Sequence, residues 1–115
     1  MGLFDRFRRR TSGDPRRSDG PAMGVDLEAV KEHLKAFAES RRGVEAYVEP
    51  ATNVSAESII LIATDGEWTR RAIGSRRAAF ETASSIGLPV YDVLLTGYPG
   101  RMREWNSRQR REGKA

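Results

Sequence analysis

Cysteine is absent from the 115-residue chain, and histidine occurs once, as His33. The first absence excludes a disulfide framework, a thiolate zinc site, iron–sulfur ligation and a cysteine nucleophile. The second leaves no multi-histidine metal site within one chain, so no metal and no cofactor is expected. Long apolar runs are missing as well: nothing approaches the ~18 consecutive apolar residues of a membrane span. At the N-terminus, Arg6, Arg8, Arg9 and Arg10 lead into Thr11-Ser12-Gly13-Asp14-Pro15, which does not read as a secretory signal. Arg6 stands where N-myristoylation needs Ser or Thr. The expected compartment is the cytoplasm. The glycines form no phosphate loop and no nucleophile elbow. A Ser–His–Asp set would have to draw His33 from a helix surface. No residue pattern therefore carries enzyme chemistry.

Lysine is scarce too: three Lys stand beside seventeen Arg, and the formal net charge is +4. That charge is unevenly placed. Residues 1–24 are basic, 25–43 are balanced, 44–66 hold Glu45, Glu49, Glu57 and Asp65 with no basic residue, and 67–115 are basic again. Arginine offers phosphate and carboxylate a planar, permanently charged fork. A basic surface of this kind suits a polyanionic partner.

Residues 11–24 are turn formers, charges and small side chains, a composition too poor in apolar surface to offset its ordering entropy. They read as a flexible linker between a ten-residue basic tag (1–10) and a single domain (25–112), with 113–115 as a frayed tail. Within the domain, Asp26 to Arg42 reads as a helix. Asp26 is its N-cap, and Leu27, Val30, Leu34, Phe37 and Ala38 form one apolar stripe. Val44–Glu49 alternates, as a half-buried strand does. Ser58–Thr64 is apolar throughout, the mark of a strand buried on both faces. Asp65-Gly66 predicts a two-residue hairpin turn into a third strand, Glu67–Ile73. Ser75 caps a helix that ends at Gly87-Leu88-Pro89. Val90–Thr96 reads as a fourth strand and Arg101–Arg111 as a last helix. The predicted fold is α+β, in the order α-β-β-β-α-β-α. A right-handed crossover sets strand four parallel to strand one, in a four-stranded mixed sheet of order 3-2-1-4 packed by helices.

Three groups of residues are candidates for binding. Trp68-Thr69-Arg70-Arg71, and Tyr98 with Arg101, Arg103, Trp105 and Arg108, interleave aromatics with arginine, as surfaces that stack bases and grip phosphates do. The alternative is that both tryptophans pack in the core. The second group is Arg76 and Arg77, at a helix start. The third is the tag. If residues 2–10 are helical, Leu3, Phe4 and Phe7 share one side, with Arg6, Arg8, Arg9 and Arg10 around them, a pattern suited to an anionic bilayer or a protein partner. His33 lies beside an apolar stripe and reads as a hydrogen-bonded boundary residue. Asp92 is the one carboxylate set in an apolar stretch, where it is either shifted in pKa or solvated on an outer face.

Two resemblances bear on these readings. The segment 26–85, with Asp65-Gly66 in a hairpin, Gly74-Ser75-Arg76-Arg77 opening a helix, and Ala79 and Ala83 on its buried side, resembles a double-stranded-RNA-binding domain. In that family a lysine pair at this helix start contacts phosphates, which implies that role for Arg76 and Arg77. The family's further lysine falls on Phe80, its loop between the first two strands has no counterpart in Pro50–Glu57, and the fourth strand and last helix are additions. The segment 43–111 is similar to a family of small actinobacterial proteins of unknown function. The resemblance rests on Gly43-Val44-Glu45-Ala46-Tyr47-Val48-Glu49-Pro50, Asp65-Gly66-Glu67-Trp68-Thr69-Arg70-Arg71, Gly87-Leu88-Pro89-Val90-Tyr91-Asp92-Val93 and Gly97-Tyr98-Pro99-Gly100-Arg101-Met102-Arg103. Such proteins are sometimes labelled oxidoreductases, but this chain carries no cofactor fingerprint to match. The expectation from sequence is a non-enzymatic cytoplasmic binding module whose partner is RNA or a ribonucleoprotein such as the ribosome. The second reading is a membrane-peripheral or protein-adaptor role through residues 2–10, and the third a small enzyme. Nothing in the sequence sets an oligomeric state.

Overall fold

Local signals in the chain start and stop most of its elements. A computed structural model of the protein describes residues 24–113. The tag and all but the last residue of the linker lie outside these, as do Lys114 and Ala115. Helix α1 spans Leu27–Ser40. The Asp26 carboxylate accepts from the Ala29 N–H at 3.1 Å and so satisfies one of the free donors of the first turn. The helix closes two residues before the predicted Arg42, where the Ser40 hydroxyl donates to the Phe37 carbonyl and Arg41 turns extended.

Strands β1 (Glu45–Glu49), β2 (Ser58–Ile62) and β3 (Trp68–Ala72) form an antiparallel meander. Helix α2 (Arg76–Ser85) returns the chain to β4 (Val90–Asp92), which pairs parallel with β1. The sheet order is β3-β2-β1-β4, the predicted one. The caps of α2 follow the sequence closely. Ser75 accepts from the Ala78 N–H, and Gly87 takes a φ of +81°. The Gly87 and Leu88 N–H groups close on the Ser84 and Ala83 carbonyls, the Schellman arrangement that the Gly-Leu-Pro run predicts.

Three predictions need correction. The β2–β3 connection is a three-residue loop, not a two-residue one. Ala63 and Glu67 pair across it, the Gly66 N–H donates to the Ala63 carbonyl, and Gly66 sits at φ +94°. Next, the fourth strand stops at Asp92, and Val93–Thr96 forms a single helical turn, α3. The Asp92 carboxylate accepts from the Leu94 N–H at 2.8 Å, so local side-chain capping overrides the strand preference of Val-Leu-Leu. Finally, β1 is not half-buried. Its alternate residues Tyr47 and Glu49 are 6 % and 7 % exposed, because a further helix covers the second face of the sheet.

That helix is α4, Gly100–Arg111. The first face carries Ala46, Val48, Ile59, Leu61 and Ile73 against Leu34 and Phe37 of α1 and Ala79 and Ala83 of α2. The second face carries Tyr47, Ile60 and Ile62 against Met102 of α4, with Trp68 packed beside them. The order is thus α/β/α in layers, and β2 is apolar on both faces because both are covered. Helix α4 approaches the hairpin so closely that a Cβ on Gly66 would lie 2.0 Å from the Arg101 carbonyl oxygen. Glycine is required there for space as well as for its positive φ.

Candidate functional site

The arginines divide into those neutralised by carboxylates and those that are not. Arg70, on β3, clasps Glu49 with two parallel bonds of 2.8 Å, from Nε and Nη2, the bidentate geometry that suits a guanidinium. Arg101 reaches Glu45 at 2.7 Å and the Ala63 carbonyl at 2.9 Å. Arg76 pairs with Asp92 at 2.6 Å and lies over the Phe80 ring. Arg77 makes an i,i+4 pair with Glu81 at 3.1 Å, in which both side chains are largely exposed. Arg41 pairs with Glu67 at 2.7 Å and covers the Phe37 ring. The two arginines at the start of α2, taken from sequence as free phosphate contacts, each already hold an acidic partner.

Arg42, Arg71 and four further arginines have no carboxylate partner among the described residues; the four are these. Arg103 touches the Tyr98 carbonyl at 3.4 Å. Arg108 donates to the Asp65 carbonyl at 2.9 Å and lies over the Trp105 ring. Arg110 donates to the Ser107 hydroxyl, and Arg111 is exposed. All four lie on α4, and Arg108, Arg110 and Arg111 occupy its last turn, where a cation complements the helix dipole. Gly100, Arg103, Glu104, Ser107, Arg108 and Arg111 line a shallow concavity of about 470 Å³ on the outer side of α4. Glu104 is the one acidic side chain in that lining. Sequence reading nominated Arg103 and Arg108 and missed Arg110 and Arg111. For Arg111 the available signal was its spacing of eight residues from Arg103, which puts both on one helical face.

Arg71 stands apart on β3. It donates to the Arg70 carbonyl at 2.8 Å and faces His33 Nδ1 at 3.3 Å. The other ring nitrogen of His33 bonds the Thr69 hydroxyl at 2.8 Å. Because Nδ1 accepts from a guanidinium, the proton belongs on Nε2. Burial holds the His33 pKa below 6.5, with help from the charges of Arg71 and Arg41. Both tryptophans are half-buried. Trp68 joins the second-face cluster and donates from Nε1 to Asn106 at 2.8 Å. Trp105 abuts Gly66. Asp92 is neither solvated nor idle: the Leu94 N–H, then Arg76, holds its carboxyl below the usual range.

A second site is centred on Glu49, which with Ser58 the sequence reading did not name among its candidates; it brings together Arg70 and Tyr98, which that reading placed in two separate groups. The Glu49 Oε1 accepts from the Ser58 hydroxyl at 2.6 Å and from Arg70 Nε. Its Oε2 accepts from Arg70 Nη2 and, through a short contact, from the Tyr98 hydroxyl. Burial pushes this carboxyl up. Bonds from Arg70, Ser58 and Tyr98 outweigh that, and it stays ionised below the usual carboxylate value. These four donors fill the lone-pair positions of a carboxylate, so none is left to take a proton from a substrate. In this arrangement Glu49 ties together Ser58, Arg70 and Tyr98.

Among the described residues, no group of three or more His, Cys, Asp or Glu side chains is placed to hold a metal ion, and no helix is long and apolar enough to cross a membrane. Comparison with protein-family models, with curated proteins and with solved structures gives no match.

Proposed function

We propose that this protein is a non-enzymatic RNA-binding module that grips the phosphate backbone through α4. The observation that carries the reading is the division of the arginines. Arg103, Arg108, Arg110 and Arg111 share one helix and have no carboxylate partner among the described residues, whereas Arg41, Arg70, Arg76, Arg77 and Arg101 are neutralised within the fold. Phosphate contacts of this kind are independent of sequence and release counterions, so affinity falls as salt rises. The resemblance of segment 26–85 to a double-stranded-RNA-binding domain supports RNA as the partner, though the contacts it implies, Arg76 and Arg77, lie on α2, across the sheet from α4. Arg76 and Arg77 enter as secondary contacts, which must first exchange Asp92 and Glu81 for phosphate.

The test is a salt titration of binding to a short RNA duplex. The wild-type protein should bind at low ionic strength, with log affinity falling linearly against log salt. Replacing Arg103 and Arg111 with Ala should flatten that slope by roughly two. Replacing Arg76 and Arg77 should flatten it less. Absence of salt-dependent binding by the wild-type protein overturns the reading.

A further inference from the structure

At the end of the sheet away from the hairpin, the β1–β2 loop and α3 stand apart and leave a groove of about 700 Å³, within the range of small-molecule sites. Its walls are Pro50, Ala56, Ala72, Val93 and Leu94, and its polar lining is the Glu49 cluster. Leu94, 71 % exposed, adds its apolar side chain to those walls.

The polar groups define what the groove can hold. Glu49 has no accepting position left. The Ser58 and Tyr98 hydroxyl hydrogens are committed to it. On the rim, the Thr52 and Ser55 hydroxyls bond each other. Arg70 gives Nε and Nη2 to Glu49, and its Nη1 has no partner among the described residues. The groove therefore offers apolar walls and Arg70, whose charge is balanced by Glu49 but whose Nη1 amino group keeps its N–H donors unpartnered among the described residues. A cationic head would find no free carboxylate to pair with. An anionic head would find two N–H groups already positioned.

We propose that this groove binds a small amphipathic acid, a molecule with one apolar chain or ring and one carboxylate directed at Arg70 Nη1. The inference is independent of the RNA reading, because no residue of the α4 concavity lines the groove.

The probes are three ten-carbon chains differing only at the head: decanoate, decan-1-ol and decylammonium, each below its micelle threshold. Binding is followed by the melting temperature and by amide shifts in two-dimensional NMR. Decanoate should bind saturably, shift the amides of Ala72, Val93 and Leu94, and raise the melting temperature. The alcohol and the ammonium should each bind at least roughly tenfold more weakly, a difference of about 1.4 kcal/mol. Ala72→Trp, which fills the groove, and Leu94→Glu, which puts a like charge on its wall, should each remove decanoate binding. Both positions are exposed, and circular dichroism verifies that each variant is folded. Decanoate binding that survives both substitutions, or equal binding of decylammonium, overturns the proposal. So does the absence of saturable decanoate binding.

Discussion

The two faces of the sheet are held by different physics. The face beneath α1 and α2 is a continuous apolar cluster in which Leu34, Ala46, Ile59, Leu61, Ala79 and Ala83 are fully buried. The face beneath α4 buries Tyr47, Ile60, Ile62 and Met102 and adds directional contacts: Arg70 to Glu49, Arg101 to Glu45 and Trp68 to Asn106. Apolar packing is non-directional and scales with area. Ion pairs and hydrogen bonds fix orientation, with a smaller net gain. The first face thus supplies most of the stability. The second sets where α4 lies, and with it where the unpaired arginines point.

Substitutions that act on one face at a time would break this comparison. The largest effect is expected on the first face, where Leu61→Ala should destabilise by about 2–5 kcal/mol in urea unfolding and leave the RNA salt slope unchanged. On the second, Glu49→Gln should cost about 1–3 kcal/mol, since it strands the Arg70 fork. The 43 % exposure of the Arg70 side chain favours the lower end. Gly66→Ala meets both a positive φ and the Arg101 carbonyl and should cost at least about 1 kcal/mol. Displacing α4 should also redshift Trp68 emission and weaken RNA binding, which Leu61→Ala should not do.

The smallest effect is on pH dependence, which separates the faces by the window in which each loses stability. His33, on the first face, has a folded pKa below 6.5. The unfolded chain takes up its proton first, so stability falls as pH drops through 6.5 toward the folded value. Glu49, on the second, has a folded pKa below 4.5. Its contribution is full above 4.5 and is lost only as pH falls through the lowered value. His33→Gln should therefore flatten the upper part of the stability–pH curve and leave the lower part in place. A curve unaltered near pH 6 would remove His33 from the account.

Much of this fold is legible in the sequence because its signals are local. Ser75 and Gly87-Leu88-Pro89 bracket α2 within a dozen residues, and crossover handedness then dictates the parallel pairing of β4 with β1. The second face was illegible for the opposite reason. Glu45, Tyr47 and Glu49 alternate with Val44, Ala46 and Val48 and look like a wet face, because the arginines that neutralise the two glutamates come from β3 and α4. Alternation reports polarity, and burial depends on partners far along the chain. The Glu49 cluster has the same cause: Arg70 and Tyr98 stand out in the sequence only as parts of separate aromatic–arginine stretches, and nothing local ties them or Ser58 to Glu49. At β4 two local rules conflict, and the capping of Leu94 by Asp92 prevails over three strand-forming residues.

The order of synthesis gives the docking of α4 a consequence of its own. The buried residues of the first-face cluster all precede the end of α2, whereas α4 follows every other described helix and strand. Until α4 docks, Tyr47, Ile60 and Ile62 form a bare apolar strip on a sheet that can already pair, the kind of surface on which nascent chains stick to one another. The closing helix is therefore also a seal. Gly66 lets it settle directly onto the hairpin, so the interval in which that strip is open to a neighbouring chain is set by how fast one twelve-residue helix finds its seat.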